Sequence, residues 1–173
     1  TEFKVLNAFD YGVLQNRKRV ILIGKRGAHK DFYPDIPVIS SKHKAGELFC
    51  DLPFIKAGEG TITPVKTLPY TGKYLFRSGI KEYDCEPVTY HQARPNTEQD
   101  LEIYRIVVDT WNKKKKRIAY TDLPERLRTH NNTKCFLDRF KVVAGDLPYT
   151  QTVVAHISRD GHYYIHPDIK QNR

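Results

Sequence analysis

Apolar positions open the chain at once. Phe3, Val5 and Leu6 are followed, after a polar stretch, by Val20, Ile21, Leu22 and Ile23. The two runs predict strands at 3–8 and 18–24 joined by a turn across Asp10–Asn16. Val20–Ile23 is apolar on both alternating faces, the pattern of a strand inside a larger sheet. From Lys25 to Gly79 the periodicity dissolves into recurring prolines (Pro34, Pro37, Pro53, Pro64, Pro69) and glycines. That composition predicts ordered loops, with a short helix in Lys44–Leu52 and a short strand at Thr61–Val65.

Order returns at 97–112, where Leu101, Tyr104, Val108 and Trp111 recur at three- and four-residue steps and Ile103, Ile106 and Val107 widen the stripe. Asn96 and Gln99 predict a capping-box start, with Glu98 and Asp100 at the positive helix end. Lys113–Lys116 and Arg117 follow at the negative end, where they suit either dipole compensation or contact with DNA phosphates. A short helix at Leu123–Leu127 and strand-like runs at Phe140–Val143, Thr152–Ile157 and His162–Ile165 complete the pattern. The last two runs flank the turn Ser158-Arg159-Asp160-Gly161. The expected fold class is α+β: the end of an α/β sheet, then a loop-rich, mainly β region with one long helix.

Composition narrows the function classes. Hydrophobic residues at 39% and aromatics at 12% exclude a disordered chain, and no run approaches the roughly 18 apolar residues of a membrane helix. The opening Thr1-Glu2-Phe3-Lys4-Val5-Leu6 carries no export leader and reads as the middle of a strand, as in a segment of a longer chain. Cys50, Cys85 and Cys135 are an odd, scattered set, which argues against a disulfide scaffold or a paired zinc site and for a reduced, cytoplasmic setting. As thiols they read as buried or half-buried structural groups, because no base or helix start adjoins them. The net charge of +9 is uneven, with nine Lys/Arg against five Asp/Glu in residues 1–50 and fourteen against eight in 101–173. An excess at both ends favours a nucleic-acid partner.

Chemistry concentrates in Gln15, Arg17 and Arg19. On a strand these alternate onto one face, which sets an amide and two guanidinium forks against a polyanion or a polar base. No metal site is expected: His156, His162 and His166, with Asp160 and Asp168, lie within thirteen residues but lack a cysteine and read as core and surface alternation. Gly58-Glu59-Gly60 lacks the strand–turn–helix setting of a phosphate loop.

Tyr11-Gly12-Val13-Leu14-Gln15-Asn16-Arg17-Lys18-Arg19, running into Val20–Gly24, resembles a signature block of the DNA cytosine-5 methyltransferases. The C-terminal half is similar to bacterial members of that family in Asp138-Arg139-Phe140, Gln151–Ile157 and Asp160–Asp168, in the order the family has them. The closing Gln171-Asn172-Arg173 ends on the Arg that begins the family's next block. Leu14 departs from the family, which often has Pro there. The resemblance implies that residues 1–25 are the last strands of an S-adenosylmethionine-dependent catalytic core. Residues 26–173 would be the target recognition domain.

The parent enzyme that the resemblance implies would be a monomer of bacterial restriction-modification, acting on double-stranded DNA. Its Pro-Cys-Gln nucleophile, Glu-Asn-Val carboxylate and Gly-rich cofactor loop do not occur in these 173 residues. This segment is therefore expected to bind DNA without catalysing and to hold no cofactor. Arg19 would support the flipped cytosine, Gln15 and Arg17 would hold the adjacent backbone, and Thr152 would lie near DNA phosphates. Base contacts are expected from the loops between residues 58 and 95 and around His130–Lys134, with Lys73, Arg77, Arg94, Asn131 and Asn132 as candidates. A stand-alone nucleic-acid-binding module without an enzymatic parent is the rival reading.

Overall fold

A computed structural model of the chain describes residues 1–27, 29–39, 41–131, 133–135, 137–152 and 164–173. The expected hairpin forms from β1 (Glu2–Asn7) and β2 (Lys18–Ile23), antiparallel and in register from Glu2 opposite Ile23 to Asn7 opposite Lys18. It stands as a two-stranded sheet with apolar side chains exposed to solvent, Phe3, Val5, Val20 and Leu22 on one face and Ile21 on the other.

The loop-rich stretch holds less regular structure than its pattern predicts. The helix expected in Lys44–Leu52 is a single 3-10 turn at Ala45–Leu48. Its start is fixed sideways: Ala45 N–H donates to the Leu147 carbonyl at 2.8 Å and Gly46 N–H to the Gly145 carbonyl at 3.0 Å. A Cβ on Gly46 would sit 3.0 Å from that Gly145 oxygen, so the two backbones meet only because both residues lack side chains. The strand expected at Thr61–Val65 is confined to β3 (Gly60–Thr61), which pairs with β4 (His91–Gln92). Pro64 has no N–H to give the ladder, and pairing resumes at Val65 opposite Val88. Between these strands lies the one-turn helix α1 (Tyr74–Arg77).

The long helix α2 spans Glu98–Lys114. Its capping box lies one residue later than the sequence suggests: Thr97 Oγ1 accepts from Asp100 N–H at 3.1 Å, and the Asp100 carboxylate accepts from Thr97 N–H at 3.3 Å. Asn96 instead accepts from the Tyr104 hydroxyl at 3.4 Å. Lys115, in the left-handed conformation at φ 52°, ends the helix. The predicted stripe is the buried one. Ile103, Tyr104, Val107 and Val108 pack against Tyr120, Leu123, Leu127, Phe140, Val142, Ala144 and Ile165, each fully buried aliphatic side chain contributing about 1.5–3 kcal/mol. In place of a helix at Leu123–Leu127, two 3-10 turns, Tyr120–Asp122 and Glu125–Leu127, flank Pro124.

A second, smaller core gathers Leu14, Tyr70, Tyr74 and Leu75, with Leu48 against them. It fastens the hairpin's turn to the loop region. Beside it Lys81 is buried, its ammonium donating to the Asp51 carboxylate and, at 2.7 Å, to the Thr67 hydroxyl. Among the described residues the molecule is thus a mixed helix-and-strand fold with small sheets. The predicted strand Thr152–Ile157 falls largely, and the start of His162–Ile165 wholly, outside them.

Candidate nucleic-acid interface

The Gln-x-Arg-x-Arg block is shaped by its neighbours in space more than by strand geometry. β2 begins only at Lys18, so Gln15 lies ahead of the strand. Ala8 N–H donates to the Arg17 carbonyl at 2.9 Å, which extends the hairpin ladder to Arg17 and puts it in alternation with Arg19. Asn7 holds the bend: its Oδ1 accepts from Arg17 N–H at 3.0 Å and its Nδ2 donates to Asn16 Oδ1 at 3.1 Å. Arg17 is half-buried, whereas Arg19 is exposed and donates Nη1 to the Lys18 carbonyl at 2.7 Å.

Gln15 belongs to a different pairing. Leu14–Asn16 runs parallel to Thr150–Thr152, with Thr150 N–H donating to the Leu14 carbonyl at 2.9 Å and Asn16 N–H to the Thr150 carbonyl at 3.1 Å. Side chains stitch the same seam. Gln15 Nε2 donates to the Gln151 carbonyl at 3.3 Å, and the Thr152 hydroxyl donates to the Asn16 carbonyl at 2.6 Å. The two sequence blocks therefore touch across 136 positions.

Leu14 explains its own departure from the family pattern. It is fully buried, and its N–H donates to the Tyr74 hydroxyl at 3.3 Å, a donor that Pro would lack. Tyr11, Gly12 and Val13 then form one wall of a cleft of about 760 Å³, with Lys42, His43, Tyr74 and Arg77 opposite.

Glu47 organises that opposite wall. Its carboxylate accepts from the N–H groups of Lys73 at 3.0 Å and Tyr74 at 3.1 Å, and His43 Nδ1 lies 2.9 Å away. Burial pushes this carboxyl up, but the Lys73 N–H, His43 and the Tyr74 and Lys44 N–H groups outweigh it and hold the group at about 2. Glu47 thereby sets the positions of Lys73, which precedes α1, and Arg77, which closes it; both side chains are exposed.

Arg94 is exposed next to β4, its carbonyl accepting from Gly58 N–H at 2.9 Å. Asn131 is exposed in a loop fixed one residue earlier, where His130 N–H donates to the buried Tyr120 hydroxyl at 2.6 Å. Arg139 lies over the face of the same Tyr120 ring at 4.2 Å. Asn132 lies outside the described residues. The candidates thus fall in separate places: Gln15, Arg17, Arg19 and Thr152 at one seam, Lys73 and Arg77 at α1, Arg94 on the β3–β4 ribbon and Asn131 beyond Tyr120. Asn7 and Tyr120, which position two of these groups, escape a reading by motif. The one local signal for Asn7 is an Asn ahead of a turn.

Two of the three cysteines differ from expectation. Cys50 and Cys135 are exposed and Cys85 is half-buried, so none is a core thiol. Partial burial and the adjacent Asp51 carboxylate push the Cys50 thiol up, away from a reactive thiolate. Among the described residues no group of three or more His, Cys, Asp or Glu could hold a metal ion. His156 and His162 lie outside them. His166 packs on Phe49 and accepts from Asp168 N–H at 3.1 Å, and burial, helped by Arg173, lowers its basicity. No helix among the described residues is long and apolar enough to cross a membrane.

The family model for the C-5 cytosine-specific DNA methylase matches residues 1–155, and the chain belongs to that family. It is also 41% identical over 180 residues to the Type II methyltransferase M.Bpa9945I of Bacillus paralicheniformis. That alignment takes in 98% of this chain and 39% of the relative, so the chain spans about two-fifths of the length of the curated relative it matches. No solved structure matches it.

Proposed function

We propose that this chain is the DNA-recognition part of a DNA cytosine-5 methyltransferase of bacterial restriction-modification. Residues 1–25 close the catalytic core and 26–173 form the target recognition domain. The observation that carries this reading is the seam between Leu14–Asn16 and Thr150–Thr152. It joins the family's arginine block to the end of the variable region, so the position of the recognition segment and the placement of Arg17 and Arg19 are coupled. A segment that only bound DNA would have no need to brace that block.

In the assembled enzyme Arg19 reaches the oxygen of the extruded cytosine through a charge-assisted hydrogen bond. Arg17 and Gln15 hold the backbone beside it, and Thr152 keeps the phosphate-side strand in register. Lys73, Arg77, Arg94, Asn131 and Asn132 contact the duplex. The nucleophile comes from the rest of the enzyme, which works in the cytoplasm as a monomer, and this segment alone does not methylate.

S-adenosylmethionine serves the parent enzyme as methyl donor, but the residues here do not suit it. The cleft beside Tyr11 is lined by Lys42 and Arg77, and the carboxylate behind its wall, Glu47, is engaged by His43 and the Lys73 and Tyr74 N–H groups, an unfavourable setting for a sulfonium cation. We assign no cofactor to this segment.

Arg19→Ala in the full-length protein is the direct test. Turnover should fall by at least about 100-fold, the scale of losing a charged donor at a reacting group, while duplex affinity changes several-fold at most. Equal losses in both would assign Arg19 to DNA phosphate and refute its place at the base.

A further inference from the structure

The pairing of β3 with β4 extends beyond their two residues each. Gly58 N–H reaches the Arg94 carbonyl at 2.9 Å, Ala93 N–H the Glu59 carbonyl at 2.8 Å, and Tyr90 N–H the Ile62 carbonyl at 3.2 Å. Val65 and Val88 exchange two hydrogen bonds of 2.9 Å at the far end. The result is a two-stranded ribbon of residues 58–65 against 88–94. On its second strand exposure alternates residue by residue: Tyr90, Gln92 and Arg94 are exposed, while His91 and Ala93 are buried. The inward side is pinned by His91, whose Nε2 lies 2.8 Å from the Pro53 carbonyl.

Two features set the outward row apart from ordinary surface. Gly60 stands opposite Gln92, and a Cβ there would lie 2.1 Å from the His91 oxygen, so the row faces a partner strand without a side chain beside Gln92. Tyr90 is 78% exposed and holds φ at 56°, a left-handed conformation costly for an aromatic residue. The ribbon thus keeps a large ring in solvent at a conformational cost, next to an amide and a guanidinium. Its cross-strand neighbour Ile62 is exposed as well. A two-stranded β-ribbon fits the major groove of B-form DNA, a Gln amide can pair with both N6 and N7 of adenine, and apolar groups suit the thymine methyl.

We propose that Tyr90 and Gln92 form a base-reading edge that enters the major groove of duplex DNA, with Gln92 pairing an adenine and Tyr90 lying against a neighbouring thymine methyl. Arg94, in the same row, and the net charge of +9 supply the complementary charge. The inference rests on the DNA-recognition reading above and names the residues that carry sequence choice within it.

The experiment uses the full-length protein and a pool of randomised duplexes, with wild type, Gln92→Ala and Tyr90→Gly compared. Gly relieves the positive φ, so a loss in that variant comes from the missing ring and not from misfolding. Gln92→Ala should relax the preference at one base pair by about 10-fold or more. Affinity for unrelated duplex and its salt dependence should stay unchanged. Tyr90→Gly should relax an adjacent position. A preference retained in both variants, or an equal loss across all sequences, would overturn the proposal. If wild type itself prefers no sequence, the recognition reading falls and takes this edge with it. A wild-type preference untouched by either substitution removes the edge alone.

Discussion

Leu14, Glu47 and Asn7 each do locally what a motif search overlooks. Leu14 fills the small core and lends its N–H to Tyr74. Leu14→Ala should destabilise the protein by about 2–5 kcal/mol, measured by chemical denaturation. Glu47 is held near 2 by the donors around it, below its ordinary 4.5. A carboxyl lowered on folding stabilises the protein above its unfolded value and loses that contribution as pH falls. The window is therefore pH 4.5 down to 2. Glu47→Gln should cost about 1–3 kcal/mol at neutral pH and flatten the loss of stability across that acid window, read from unfolding curves at stepped pH. The arginine block was legible because its spacing is a family signature. Asn7 was not, because its role depends on which backbone groups the turn brings to it.

At the level of elements, α2 was the most readable part: seven apolar positions at helical spacing can be satisfied by one buried face. The cap shifted by one residue because Thr97 and Asp100 form the reciprocal pair and Asn96 goes to Tyr104. The loop region was least readable, since its order comes from long-range contacts such as Gly46 against Gly145 and the buried Lys81–Asp51 pair. Lys81→Met leaves the Asp51 charge buried without its partner and should cost about 3–5 kcal/mol. Replacing Asp51 by Leu in the same protein should recover much of that loss. A double variant no more stable than Lys81→Met would deny that the unpaired charge is the cause.

Across the whole molecule, charge and apolar surface are both unevenly spent. Of the cations at the C-terminal end of α2, Lys113 pairs with Asp109 at 2.9 Å and Lys115 with Asp146 at 2.8 Å. Lys114 and Lys116 are exposed, and neither shares those pairs. If the run meets DNA, replacing Lys114 and Lys116 with Gln should lower the salt slope of binding by about 2, whereas Lys113→Gln should change it less. An unchanged slope would leave the run as a helix-end counterweight. β2 exposes Val20 and Leu22 on one face and Ile21 on the other, the apolar pattern read from its sequence, and an edge so exposed invites pairing with further strands. What occupies those faces could not be read from these residues, because sheet partners are chosen by topology and not by the strand's own pattern.

The seam at Leu14–Asn16 also sets an order of events during synthesis. The arginine block leaves the ribosome well before the strand paired beside it, which follows 136 positions behind. At ordinary translation rates that is a wait on the order of ten seconds. Contacts so distant in sequence also form late in folding. A nascent or prematurely ended chain therefore carries Leu14–Asn16 unpaired, and only a chain translated through Thr152 can close the seam beside the arginines.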